Sequence, residues 1–350
     1  MIASALTLAL IQAVAASPLS CPAPSKPACA SPQGNLTVRS AGLYPEQADF
    51  DPKRCVTYIG NLYKSTVSVY DAVENRVTNI ITLPGISNVP AFHVSGVQVD
   101  ARHDKLTISA NAGAAFDTSG DDISGTNMIV QYDLATGQVE WQQNLTAVSK
   151  GLFGGFQDIE HDAAGNSFVI GTFPSSIVKI SADGKTAEPW FVERGANQTV
   201  HGFTGIAAFN DGASVLVSDG QRGQLLRFDT AADKGEPVRV PLQDGAEPIG
   251  GDLDGAYLPA LYKDTVLLVS DNALGTVVLR SQDEWQTAER VGVVAKDPGF
   301  PDGFATATVQ IADRIYGVTE FFSDNAPPRS LNRTEFPLYD ITDAVNELLV

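Results

Sequence analysis

Read as a string of apolar and polar positions, the chain repeats one short phrase six times: an apolar run that stops on a polar residue. The copies are VTYIGN ending at Asn61, LTISAN at Asn111, SFVIGT at Thr172, VLVSD at Asp219, LLVSD at Asp271 and YGVTE at Glu320, at intervals of 50, 61, 47, 52 and 49 residues. Each is followed by an alternating run (TVSVYD, MIVQYD, SIVKIS, QLLRFD, TVVLRS, FPLYDI) and preceded by another (ADFDP, HVSGVQVD, FQDIEHD, FTGIAAFN, DLDGAYL, FATATVQI). Alternation of period two predicts strands with one face packed on a neighbour, and a unit of this size cannot bury that face alone. Repeats near fifty residues with turns such as Ala164-Gly165-Asn166 and Asn210-Asp211-Gly212 therefore predict an all-β, six-bladed β-propeller.

A ring left open would expose two unpaired strand edges. The last repeat has three evident strands, and the segment from Asn35 to Ser40 alternates, so residues 36–40 are expected to supply the outer strand of the last blade. The resulting division is a signal peptide over 1–16, a Pro-rich tail over 17–34, the propeller over 35–342 and a short C-terminal helix over 343–350. Glycines at 96, 205 and 255 fall on innermost strands, where the backbones crowd the axis. The longest interval holds AGAAFDTSGDDISGTN, residues 112–127, which lacks the spacing and terminal Glu of an EF-hand and is expected to act as a lid over the central mouth.

Charge and leader change the picture only at its edges. A net charge of -18 disfavours nucleic acid and anionic lipid. The opening MIASALTLALIQAVAA is too short to span a membrane and reads as a secretory signal, with no membrane association expected after its removal. The sequons at Asn35, Asn144, Asn197 and Asn332 fit a glycoprotein of the secretory pathway or the extracellular space. Cys21, Cys29 and Cys55 are an odd set: either Cys29 pairs with Cys55 and pins the tail to the ring, or all three remain thiols.

In an antiparallel blade the first strand starts where the second ends, so two sets of side chains converge on one mouth. The first set is Glu46, Gln157, Asp158, His201, Thr204, Asp252, Asp254 and Asp302; the second is Asn61, Asn111, Thr172, Asp219, Asp271, Asn272 and Glu320. Phe116, Phe156, Phe173, Phe203, Phe304 and Phe321 are interspersed, which describes an apolar pocket with a few directed polar groups. The same polar residues could instead cap strand ends. Nucleophile-elbow, zincin, CxxC and Walker patterns are absent, and the four histidines show no ligand spacing. His161 is expected at the surface and His201 alone near the mouth.

The stretches PEQADFDPKRC, GGFQDIEHDAAGNSFVIGTFPSSI, HGFTGIAAFNDGASVLVSD and FPDGFATATVQIADRIYGVTEF resemble the six-bladed propellers of the SMP-30/gluconolactonase type. More closely, FDPKRCVTYIGNLYKSTVSVYD, HVSGVQVD and FQDIEHD resemble a fungal secreted branch that includes trichothecene-cluster propeller proteins and the hetero-Diels-Alderases of tropolonic sesquiterpenoid pathways; the resemblance spans residues 43–340. The gluconolactonase type implies a divalent metal held by a glutamate, two asparagines and an aspartate. Those positions carry Glu46, Gln157, Thr204 and Asp252 or Asp254 here, and a threonine hydroxyl poorly replaces a carbonyl oxygen around a hard cation. No metal and no cofactor is therefore expected.

The fungal branch implies a metal-independent hetero-Diels-Alderase that joins a tropolone-type quinone methide to a sesquiterpene such as a humulene. Such a reaction needs two apolar partners held face to face, worth up to roughly 7–11 kcal/mol in favourable models. It also needs a donor to the developing oxyanion, worth on the order of 3 kcal/mol. On that reading Gln157, Thr204 or His201 donates, Asp252 and Asp254 orient the donors, and Asn61, Asn111, Phe116, Phe156, Phe173, Phe304 and Glu320 contact the hydrophobic substrates. The alternatives are a trichothecene-cluster-type protein acting on another terpenoid intermediate, a non-catalytic terpenoid-binding protein, and a metal-dependent lactonase. The reactants, stereochemical outcome and oligomeric state are not set by the sequence.

Overall fold

The computed structural model describes residues 29–245, 247–326 and 330–350. The expected signal peptide, most of the tail and Cys21 lie outside them. Among the described residues, the strands form six four-stranded antiparallel sheets arranged as the blades of a propeller. The innermost strands are Pro45–Asp51, Phe92–Asp100, Gly154–His161, Phe203–Phe209, Leu253–Tyr257 and Phe304–Ile311. Each pairs with the apolar run read from the sequence, Val56–Asn61 through Arg314–Glu320.

The ring closes as the pattern required. Leu36–Arg39 pairs antiparallel with Glu335–Asp340, so the N-terminal strand is the outer edge of the last blade. Thr342–Leu348 is a helix, and Val345 packs with Ile315, Ile341 and Val266 between the last two blades. Cys29 is disulfide-bonded to Cys55, which sits in the first blade's hairpin turn and ties the N-terminal segment to the end opposite the mouth.

The core is distributed because the period is two. Val215 and Val217 pack toward the third blade with Phe168 and Ile170, while Leu216 between them packs toward the fifth with Leu267 and Val269. Six such clusters result, one at each blade interface, and no blade has an interior of its own. The glycine expectation has a measurable cause: a Cβ on Gly96 would stand 2.0 Å from Gln157 O, and one on Gly205 would stand 2.3 Å from Ala256 N.

One expectation is corrected. His161 is 2% exposed rather than a surface residue, and its Nε2 lies 2.8 Å from Thr107 Oγ1 of the neighbouring blade. It belongs to the end of an inner strand, which is covered on both sides.

Candidate functional site

The mouth is built by one device repeated around the ring. All six inner strands break register with their partners near the mouth: between Pro45 and Ala48, Val94 and Gly96, Phe156 and Ile159, Phe203 and Gly205, Leu253 and Ala256, and Ala305 and Ala307. A bulge adds a residue that does not follow the pleat and re-aims its side chain. The residues so placed include Glu46, Ser95, Gln157, Thr204 and Asp254, which all face one cavity of about 320 Å³.

Above this ring the wall is apolar and aromatic: Leu62, Tyr63, Phe116, Leu253, Phe304 and Phe322. Phe116 comes from the short helix Ala114–Asp117 inside the long loop of the second blade, and Asp117 and Ser119 of the same loop also face the cavity, as the lid expectation required. Below the ring, Gln47, Asp158, Gly255, Thr306 and Ala307 narrow the axis to a space of about 10 Å³. The cavity is thus a chamber open at one end and closed at the floor.

Of the expected site residues, Gln157, Thr204, His201, Asp252, Asp254, Asn111, Phe116 and Phe304 line this cavity. The other four do not. Asn61 accepts from Lys64 N at 3.1 Å and caps a turn, the bland alternative of the sequence reading. Phe156 is fully buried in the cluster between the second and third blades, because the bulge begins after it. Phe173 stands behind Phe116, with ring centroids 5.4 Å apart. Glu320 is 0% exposed and off the cavity wall.

The sequence reading missed Tyr63, His93, Phe322 and Asn325 on the wall, so His201 is not the sole histidine at the mouth. A signal for His93 existed: it opens the strand HVSGVQVD and pairs in register with Asn111. Its ring meets Tyr63 edge to face at 5.1 Å. The four sequon asparagines are exposed, and Asn144 also caps the helix Leu145–Ser149 by accepting from Ala147 N.

Several expected donors are already engaged within the wall. Gln157 Nε2 donates to Thr172 Oγ1 and to Thr204 O, each at 3.1 Å. Thr204 Oγ1 lies 2.9 Å from Ser218 Oγ. Asn111 Nδ2 donates to Ser95 Oγ at 2.6 Å and to Phe156 O at 2.8 Å, which leaves its Oδ1 buried and without a partner. Burial lowers the His201 pKa against the pull of Asp252. Burial raises Asp254 well above the usual carboxylate range, with the Glu46 charge adding to the rise and a hydrogen bond from Asn272 opposing it. Burial, and then the Glu320 charge, raise Glu46 in the same way.

The metal set of the gluconolactonase type does not fit these residues. Thr204 and Gln157 are held by Ser218 and by the wall, so of the corresponding positions only Glu46 and an aspartate present carboxyl oxygens. Among the described residues no group of three or more His, Cys, Asp or Glu is gathered as metal ligands would be.

Comparison with known proteins places the chain among fungal propellers. The family described as Mal s 1 allergenic protein-like matches residues 27–293. Trichothecene biosynthesis protein 14 of Trichoderma arundinaceum is 32% identical over 335 residues, covering 91% of this chain and 90% of that protein. Core trichothecene cluster protein 14 of Fusarium sporotrichioides is 31% identical over 334 residues, covering 91% and 87%. Among solved structures, the major Malassezia sympodialis allergen Mala s 1 has the same fold, with a TM-score of 0.78 at 21% identity over 89% of this chain and 96% of that one.

Proposed function

This chain belongs to the Mal s 1 allergenic protein-like family, and from that premise we propose that it is a fungal secondary-metabolism propeller whose mouth is the reaction chamber of a hetero-Diels-Alderase. The reaction joins a tropolone-type quinone methide to the alkene of a sesquiterpene such as a humulene. The terminal carbon and the oxygen of the heterodiene each form one bond to the alkene carbons. Three π bonds become one π and two σ bonds, and no atom or proton leaves. The protein therefore needs to supply orientation, water exclusion and a hydrogen bond to the heterodiene oxygen.

The observation that carries the reading is the chamber itself. Its volume of about 320 Å³ lies at the lower end of the range for small-molecule sites, and its upper wall of Leu62, Tyr63, Phe116, Phe304 and Phe322 suits an apolar terpenoid. The exposed sequons agree with a secretory-pathway location for such a protein. The test is incubation of the purified chain with a hydroxymethyl-tropolone precursor and humulene, with and without chelator. Saturable adduct formation above the spontaneous background, in one stereoisomer and unchanged by chelator, supports the reading. Background rates with a racemic product overturn it.

The two trichothecene-cluster relatives favour a second reading in which the same chamber acts on another terpenoid intermediate. Product analysis with oxygenated sesquiterpenes offered alone separates the two: turnover of these without adduct formation selects the second.

A further inference from the structure

Among the described residues the chamber lining holds Glu46, Asp117, Asp252 and Asp254, with His93 and His201, and no lysine or arginine. Glu46 Oε2 is sealed from solvent without a hydrogen-bond partner. Behind it Glu320 is 0% exposed, and no donor but the N–H of the adjacent Phe321 reaches its carboxyl group. Arg333, the cation whose charge reaches Glu320 among the described residues, is already engaged: it donates to Asp324 Oδ2 at 3.0 Å and to Asp302 Oδ2 at 3.1 Å, and its guanidinium lies 3.5 Å over the Phe321 ring. A buried carboxylate with so few donors and no cation bonded to it is strongly disfavoured, and two side by side more so.

We propose that Glu46 is the proton donor of the chamber: backed by Glu320, it carries a proton and presents an O–H to the oxygen of a neutral ligand, while Asn111 Oδ1 accepts a hydrogen bond from that ligand's own hydroxyl. Glu320 does not line the cavity, so no ligand cation can reach it, and a proton is what neutralises it. The orphaned Asn111 acceptor is independent of the carboxyl cluster and also calls for a hydroxyl donor. Charged and titratable groups around the pair are Asp254, Tyr63, Asp324 and Arg333, with Asp252 and Asp158 next to Asp254 and with His93 and His201 on the same cavity wall. Burial raises both glutamates well above their ordinary range; the Glu320 charge adds to the rise of Glu46, and Asp324 and Asp254 add to that of Glu320 while Arg333 and the Phe321 N–H oppose it.

The inference rests on reading the mouth as a small-molecule site and does not depend on the cycloaddition. Its test is calorimetric binding of three matched sesquiterpenoid probes to the full chain at neutral pH: farnesol, farnesylamine and farnesoic acid. Farnesol is expected to bind about tenfold more tightly than farnesoic acid, and farnesylamine is expected to bind equally well to the wild type and to Glu46→Gln. Its affinity falls as the pH is raised to alkaline values, although farnesol itself does not titrate. Glu46→Gln, whose amide keeps a donor, binds farnesol without that pH dependence, and Glu46→Ala binds it about tenfold less well at neutral pH. Near-ultraviolet circular dichroism checks that both variants are folded.

Tighter binding of farnesylamine than of farnesol that is lost in Glu46→Gln overturns the proposal, because it requires an ionised Glu46. So does a wild-type affinity for farnesol that is flat with pH. If farnesol binds as expected and no adduct forms, the cycloaddition reading fails and the donor assignment stands; adduct formation with flat pH dependence gives the reverse.

Discussion

Two tiers of buried carboxyl groups share the propeller axis and differ in what meets them. In the lower tier Asp49 accepts from Phe50 N and Val99 N, both at 2.8 Å. Asp158 accepts from Ile159 N and Ile206 N, both at 2.9 Å, and from the Gln47 amide. Glu160 accepts from His161 N at 3.2 Å and from the Ala208 backbone. These carboxyls satisfy the free edge of the next blade's inner strand, which has no strand partner on that side. In the upper tier Glu46 Oε2 meets no donor, and Glu320 meets only the N–H of the adjacent Phe321. The same residue types are thus latches between blades in one tier and largely unsatisfied groups in the other, and in the second tier Glu46 faces the cavity.

Removing a latch is the strongest way to test this contrast. Asp158→Ala leaves three donors facing a gap and is expected to cost roughly 3–5 kcal/mol in urea unfolding; a loss below about 1 kcal/mol would mean the blades do not depend on that bond. A pH series comes next in size. Burial pushes Asp49 up to about 7, Asp158 to about 6 and Glu160 to about 8. The native state therefore binds more protons than the unfolded chain between about pH 4 and pH 8, and stability falls as pH rises through that window. His161, lowered by burial to about 4, works in the opposite direction below its ordinary value. Asp49→Asn isolates the carboxyl contribution: its unfolding free energy should fall less than that of wild type across the window, by roughly 4 kcal/mol.

Glu320→Gln sharpens the comparison from the other side. It breaks no bond to another blade, and the amide oxygen can still accept from Phe321 N, so stability should stay within about 1 kcal/mol of wild type or rise; a loss of more than about 2 kcal/mol would show that the carboxylate has a further partner in solution. The smallest effect is expected for the turn cap: Asn61→Ala should cost roughly 0.5–1 kcal/mol and leave farnesol binding unchanged.

The architecture was legible because each strand carries its own period and its polar stop. VTYIGN and LLVSD have the same register relative to the axis despite different residues, and the need to pair Glu335–Asp340 made the N-terminal strand a requirement. The end of the ring that holds the site followed from strand direction. What did not follow was which side chain at that end turns inward, because the six bulges break the alternation where it matters. Phe156 went to the core and Gln157 to the wall for that reason, and His93 was passed over although its partner Asn111 was recognised. The pairing of Glu46 with Glu320 joins the first and last blades and is invisible until the ring is closed.

The most direct test of the account is infrared difference spectroscopy of the full chain at neutral pH, wild type against Glu46→Gln, with and without farnesol. The account predicts a protonated-carboxyl band in the wild-type-minus-variant difference that moves to lower frequency when farnesol binds. A difference spectrum in which Glu46 contributes only ionised carboxylate bands, unchanged by farnesol, would contradict it.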